Sequence, residues 1–256
     1  MILSHALKLI FIKPRKVAGT SLEIALSRFA APHDIITPIL DEDEKSRHNL
    51  GYVGPQNYTM PLGEYQLGDW ARLALRWKPR QRFYNHMSAR EIRDNVPAEI
   101  WSSYTKVSIV RNPFDRVISK YFWLCNTTGR KMDFREWLLA TPSAIVENRD
   151  LTHIDGSPAV DVMLRYEFLD RDLTELSERL GMAEDLSDIM RGIRAKGGVR
   201  AKRASSKDLF SDFADGVTLI NILCRDEIDE HGYGFSEEHA DSACDQSAAS
   251  DGENTS

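Results

Sequence analysis

Apolar positions along the chain recur with two different periods. Residues 7–12 (Leu7-Lys8-Leu9-Ile10-Phe11-Ile12) form a short β-rich run closed off by Pro14, the pattern of a buried strand. From Thr20 the spacing turns helical, with Leu22, Ala25, Leu26 and Phe29 on one face. A second strand is predicted over 34–39, followed by the acids of 41–44 and then a long irregular stretch to about Pro79. There Gly51, Gly54, Pro55, Pro61, Gly63 and Gly68 argue against one regular element. Two short helical patterns, 88–95 and 97–103, each open on a residue suited to starting a helix, Ser88 and Pro97. The β-branched run 105–110 reads as a buried strand. Pro113 then opens an amphipathic helix to about Asn126, with Val117, Ile118, Tyr121 and Phe122 on its apolar face. Further patterns give a helix over 134–140, a strand over 162–166 and a helix over 169–180 stopped by Gly181. A last helix is expected over 208–229, interrupted near Asp215-Gly216. Strands alternating with helices predict an α/β fold, one domain over 1–236 with a mostly parallel central sheet flanked by helices.

Composition narrows the class. At 256 residues with 42% hydrophobic and 28% charged positions, the chain can bury a sizeable core, and it is neither collagen-like nor a disulfide scaffold. The net charge of −6 is a property of the tail: residues 237–256 hold six acids and no Lys or Arg, so residues 1–236 are formally neutral. The tail reads as disordered, and the acidic balance says nothing about an acidic partner. Cys125, Cys224 and Cys244 show neither CxxC nor paired spacing, which fits a reducing compartment. The N-terminal apolar run is too short for a signal sequence or a membrane span, so a cytoplasmic protein without an integral membrane segment is expected.

Candidate chemistry sits in two loops that each join a strand to a helix, where open α/β sheets place ligands. In the first, Lys13-Pro14-Arg15-Lys16-Val17-Ala18-Gly19-Thr20-Ser21, Gly19 lets the backbone approach an anion. The free amides of the helix start, with the hydroxyls of Thr20 and Ser21, can cradle phosphate oxygens. Lys16 precedes the glycine, whereas the kinase pattern GxxxxGK[ST] puts lysine after it. A helix start with solvated lysines would look the same. In the second loop a strand ends at Arg111, whose planar fork of donors suits a phosphate as well as it suits a salt bridge. Ser119 follows eight residues on, in the helix opened by Pro113.

Together, Lys-x-x-Gly-Thr-Ser after one strand and Arg-Asn-Pro-x-Asp-Arg-x-x-Ser-x-Tyr after a later one resemble the sulfotransferase superfamily. Those enzymes use 3′-phosphoadenosine 5′-phosphosulfate (PAPS). The nearer resemblance is to carbohydrate sulfotransferases that include the heparan 2-O-sulfotransferases, and to their bacterial relatives. The resemblance implies a fold like that of P-loop nucleotide kinases. It implies that Lys13, Lys16, Ala18, Gly19, Thr20 and Ser21 surround the 5′-phosphosulfate and that Arg111 and Ser119 hold the 3′-phosphate. It also implies a carbohydrate or glycoconjugate acceptor. Weaker likeness runs through Phe83-Tyr84-Asn85-His86-Met87, Leu164-Arg165-Tyr166-Glu167 and Gly232-Tyr233-Gly234-Phe235.

Sulfuryl transfer needs a base for the acceptor hydroxyl and help for the leaving phosphate; no metal is demanded, and no metal-ligand cluster is visible. His86 stands where the resembling 2-O-sulfotransferases carry their catalytic histidine, although a histidine two residues before Ser88 would also suit a helix start. Lys16 is the candidate for charge developing on the phosphate. The basic stretch 191–207 offers Lys196 and Arg200 as a flap over the donor, or else a solvated face. No nucleic-acid-binding fold surrounds it. For the acceptor, the 41–85 stretch supplies Arg47, Tyr58, Trp70, Arg72, Arg76 and Trp77, although core packing explains the tryptophans equally well. Two rivals remain: a nucleotide or sugar kinase, against which GK[ST] is absent, and a non-catalytic nucleotide-binding protein.

Overall fold

A computed structural model describes residues 1–196 and 209–235. The chain divides into two compact units, one comprising Met1–Arg111 with residues 147–196, the other Asn112–Val146 with residues 209–235.

The first unit is built on a five-stranded sheet. Strands β1 (Ile2–Ser4), β2 (Leu9–Phe11), β3 (Ile35–Ile36) and β4 (Thr105–Val110) join β7 (Val162–Arg165) in the order β3-β1-β2-β4-β7. The pairs β2–β4 and β4–β7 are parallel, while β1 runs antiparallel to both β2 and β3. Both faces are covered, which is why the strands read as unbroken apolar runs. Alternation assigns their side chains: Leu9, Phe11, Val107 and Ile109 face one layer with Leu22, Leu173, Leu176 and Met190. Ile10, Ile12 and Leu3 face the other, with Phe83, Met87 and Ile92. The first layer comes from α1 (Gly19–Ser27), α9 (Leu169–Arg179) and α10 (Leu186–Lys196), the second chiefly from α4 (Ala89–Asn95). Helix α5 (Ala98–Ser103) leads into β4.

The 41–79 stretch departs from the irregular loop that its glycines and prolines suggest. It holds α2 (Asp41–Asn49), a 3₁₀ turn (Leu62–Glu64) and α3 (Leu67–Arg76). Helix α2 has no apolar stripe for periodicity to detect. It has four acids in its first turn and Arg47 and His48 in its last, which complements the helix dipole.

In the second unit α6 (Pro113–Thr128), α7 (Phe134–Ala140), α11 (Ala214–Leu223) and α12 (Arg225–His231) enclose a core of Phe114, Val117, Phe134, Trp137, Phe210, Phe213 and Ile220. Arg116 is buried there, paired with Glu227 and donating 2.8 Å to the Ile145 carbonyl. The helix expected over 208–229 is interrupted at 211–213, close to the Asp215-Gly216 named from sequence, and again at Cys224. Gly216 lies inside α11 because the Phe213 ring occupies the space of a side chain: a Cβ there would meet that ring at 2.4 Å. The remaining elements are α8 (Ser143–Thr152) and the hairpin β5 (His153–Ile154) and β6 (Ser157–Pro158). Among the described residues no helix is long and apolar enough to cross a membrane. The acidic tail 237–256 and Arg200 lie outside the described residues, as does the rest of 197–207 in the proposed basic flap.

Candidate functional site

Where β2 ends, the chain does not enter α1 directly. Ile12 is held to β4, its N–H donating 2.9 Å to the Val107 carbonyl and its carbonyl accepting 2.9 Å from Ser108 Oγ. The loop then turns through left-handed residues at Lys16 (φ 62°) and Ala18 (φ 62°), neither of them glycine. Such conformations are costly and persist where the surroundings impose them, commonly at ligand sites. Here Val17 is fully buried among the core residues, and the Arg15 backbone is gripped from both sides. Its N–H donates 2.8 Å to Asn148 Oδ1, and its carbonyl accepts 2.9 Å from Asn148 Nδ2.

Ala18 is the N-cap of α1, and the Ser21 and Leu22 amides both turn back to its carbonyl, at 3.1 and 3.3 Å. The Gly19 and Thr20 amides, one turn too early, have no acceptor within the helix. No side chain caps them. An anion fits that arrangement by charge and by hydrogen bonding. Gly19 is needed here for space: a Cβ would stand 2.9 Å from Lys13 Cγ and 3.5 Å from the Pro14 carbonyl oxygen.

Lys13, expected among the donor ligands, is placed beneath the loop. It is 1% exposed, and its ammonium lies 2.8 Å from Glu23 Oε2. Glu23 is fully buried on α1, with Met1 N 3.1 Å and Arg47 Nη2 3.6 Å from its other oxygen. Burial pushes the Glu23 carboxyl up, but the amino terminus, Lys13 and Arg47 outweigh it and hold the group below its ordinary range. This cluster also removes Arg47 from the acceptor candidates, since it is fully buried and paired with Glu44 as well.

His86 comes to the same loop from the segment ahead of α4. It too is left-handed (φ 59°), and its Nδ1 lies 3.0 Å from the Lys13 carbonyl. A carbonyl only accepts, so Nδ1 carries the proton and Nε2 keeps its lone pair. Burial, then the nearby Lys13 charge, pushes the imidazole down to about 4, so it is neutral at pH 7. His86 therefore does not serve the start of α4. Ser88 caps that helix by itself, reciprocally with Glu91.

Arg111, just after β4, donates 3.3 Å from Nη1 to the Lys16 carbonyl and lies 4.1 Å above the Tyr166 ring. Its Nε is buried without a hydrogen-bond partner. Such an orphaned donor on a stacked guanidinium is suited to an incoming anion. Lys16, Ala18, Gly19, Thr20, Ser21, His86 and Arg111 thus lie on one unit, at the carboxyl ends of β2 and β4. Ser119 is buried on α6, in the second unit. Lys196 ends α10, and its side chain is outside the described residues. Trp70, Arg72 and Trp77 are exposed and belong to no core; Tyr58 is half-buried.

Sequence reasoning missed Asn148 and Tyr166 as parts of the site. Asn148 lies 133 positions from its partner in an unremarkable helix, so no local signal marks it. Tyr166 directly follows β7, a strand-end position that could have drawn attention.

Among known proteins, the sequence profile of the Sulfotransferase family matches residues 1–191. No curated protein matches significantly. A solved sulfotransferase structure from Alicyclobacillus acidocaldarius is similar over 85% of this chain and 95% of its own, at 18% identity and a TM-score of 0.39.

Proposed function

Because the chain belongs to the sulfotransferase family, we propose that it moves a sulfuryl group from PAPS to a hydroxyl of a carbohydrate or glycoconjugate, with His86 as the base. The observation that carries this reading is the meeting of His86 with the left-handed loop at the Lys13 carbonyl. That bond fixes the tautomer with Nε2 unprotonated, at the edge of a loop suited to a phosphosulfate.

In this reading the Gly19 and Thr20 amides, the Thr20 and Ser21 hydroxyls and Lys16 bind the phosphosulfate end. Arg111, braced on Tyr166, takes the 3′-phosphate. Ser119 keeps that assignment on its motif alone. His86 Nε2 accepts the acceptor hydroxyl's proton as the new oxygen–sulfur bond forms. The sulfur–oxygen bond to phosphate breaks in line, and the charge left on the phosphate is met by Lys16 and the start of α1. The donor supplies the sulfuryl group, and the chain supplies position, charge and the proton acceptor.

His86→Ala tests the assignment. Loss of a general base lowers kcat by about 10²–10⁴-fold, while affinity for 3′,5′-ADP, which needs no base, stays within about threefold of wild type. Wild-type-like turnover would remove His86 from the mechanism.

A further inference from the structure

Helix α3 presents an apolar surface that the fold does not use. Among its described side chains, Asp69 and Leu73 alone are not exposed. At about 100° per residue, Leu67, Trp70, Ala71, Ala74 and Leu75 share one face, and Gly68 and Arg72 lie off it. Leu67 is 91%, Leu75 82% and Trp77 87% exposed.

The helix is held in this outward position. It sits at the tip of an excursion whose ends are tied together: the Met60 amide donates 2.8 Å to the Arg80 carbonyl, and Thr59 bridges Gln81. Within the tip, Arg80 Nη1 pairs with Asp69 at 2.8 Å, and Tyr65 meets Trp70 edge-on at 5.4 Å. Gln66 and Asp69 form a reciprocal cap at the helix start.

Charge decides what covers this face. Residues 62–82 hold five bases (Arg72, Arg76, Lys78, Arg80, Arg82) against Glu64 and Asp69, and both acids are engaged, by Arg82 and Arg80. A second copy docked symmetrically would set this basic patch against itself. The acidic tail could match the charge, but residues 237–256 contain no Leu, Ile, Val, Met, Phe or Trp to fill the apolar side. A negatively charged lipid surface meets both demands. It takes Leu and Trp at the headgroup–acyl boundary and draws Arg and Lys to its charge. At about 15 Å a ten-residue helix is too short to span a bilayer and long enough to lie on one.

We propose that α3 and its basic flank seat this protein on anionic membrane surfaces, Leu67, Trp70, Leu75 and Trp77 entering the interface. The excursion rejoins the body at Arg82, four residues before His86, so the proposed base follows the last residue entering the interface, Trp77, by nine positions, at most about 31 Å of chain.

The test is co-sedimentation of the full chain with vesicles of phosphatidylcholine, with and without phosphatidylserine, while tryptophan emission is followed. The expected result is salt-sensitive binding to the anionic vesicles alone, with a blue shift. Leu67→Glu/Leu75→Glu abolishes it, and Arg72→Glu/Lys78→Glu weakens it at least about tenfold. These positions are exposed, and unchanged stabilisation by 3′,5′-ADP reports that each variant is folded, independently of turnover. Absence of vesicle binding would overturn the proposal. So would binding that survives Leu67→Glu/Leu75→Glu, or a dimer dissolved by that variant in a protein that ignores vesicles. Equal binding to a soluble sulfated polysaccharide without the emission shift would overturn it in favour of a glycan surface.

Discussion

A neutral imidazole held down at about 4 is a weak base, and the source of the weakness predicts how the protein responds to pH. His86 loses hydration by burial and feels the Lys13 charge. In the free protein its base form persists well below the ordinary 6.5, so the acid limb of kcat/KM is expected near about 4. Donor anions oppose the Lys13 charge and favour the imidazolium, so the limb of kcat lies higher than that of kcat/KM. A limb of kcat/KM at the ordinary histidine value would contradict the burial seen here. The same group affects stability with a definite sign. Between 6.5 and about 4 the unfolded chain binds a proton that the folded one refuses, so stability falls as pH falls through that window, by on the order of 3 kcal/mol at most. At Gly19 the decisive quantity is space. A Cβ at 2.9 Å from Lys13 Cγ cannot be absorbed by a free swing of the lysine, whose ammonium is held by Glu23. Gly19→Ala is expected to cost about 1–3 kcal/mol of stability and to weaken 3′,5′-ADP binding, both readable from melting curves with and without the ligand.

Elements were legible where one period dominates. Residues 105–110 and 134–140 match β4 and α7 end to end, because a buried strand beside the sheet centre and a compact amphipathic turn each state their period plainly. The 34–39 strand shrank to Ile35–Ile36, which pairs with β1 on one side and makes a single bridge, Ile36 to Gln56, on the other. Strand β1 is no shorter than β2 but lacks the longer apolar run, 7–12, that marks β2, and α2 has no apolar stripe. The loop and Arg111 were visible because their chemistry is local. The diversion of Lys13 to Glu23, the Asn148 grip and the Tyr166 stack were invisible because each depends on partners distant in sequence. Gly216 itself lies inside α11, three residues past the break, where the Phe213 ring requires its bareness. Gly216→Ala therefore sets a helix-propensity gain of about 1 kcal/mol against overpacking of Phe213, which is 6% exposed and stacked on Phe210. Displacing two core rings costs about 1–3 kcal/mol. The variant is expected to lose stability, seen as a lower urea midpoint.

For the whole molecule, the informative asymmetry is where the features assigned to the donor lie. The amides of α1, Lys16, His86 and Arg111 all belong to the unit built on the five-stranded sheet, whose Lys13 and Arg47 are already occupied with Glu23. Cations available to a ligand there are thus fewer than the sequence suggests, and in the proposed function selectivity for a doubly phosphorylated nucleotide would rest on Arg111 and the helix start acting together. A ligand at about 100 times its Kd adds about 2.7 kcal/mol, which raises a melting point by several degrees in a chain of this size. We expect 3′,5′-ADP to produce such a rise without any divalent metal. 5′-AMP, which lacks the second phosphate, should produce little. Arg111→Ala should reduce the response to 3′,5′-ADP towards that of 5′-AMP, because it removes the group assigned to the distinguishing phosphate. If ATP with Mg²⁺ stabilises the protein and 3′,5′-ADP does not, the loop before α1 holds a different nucleotide, and the donor proposed here is wrong.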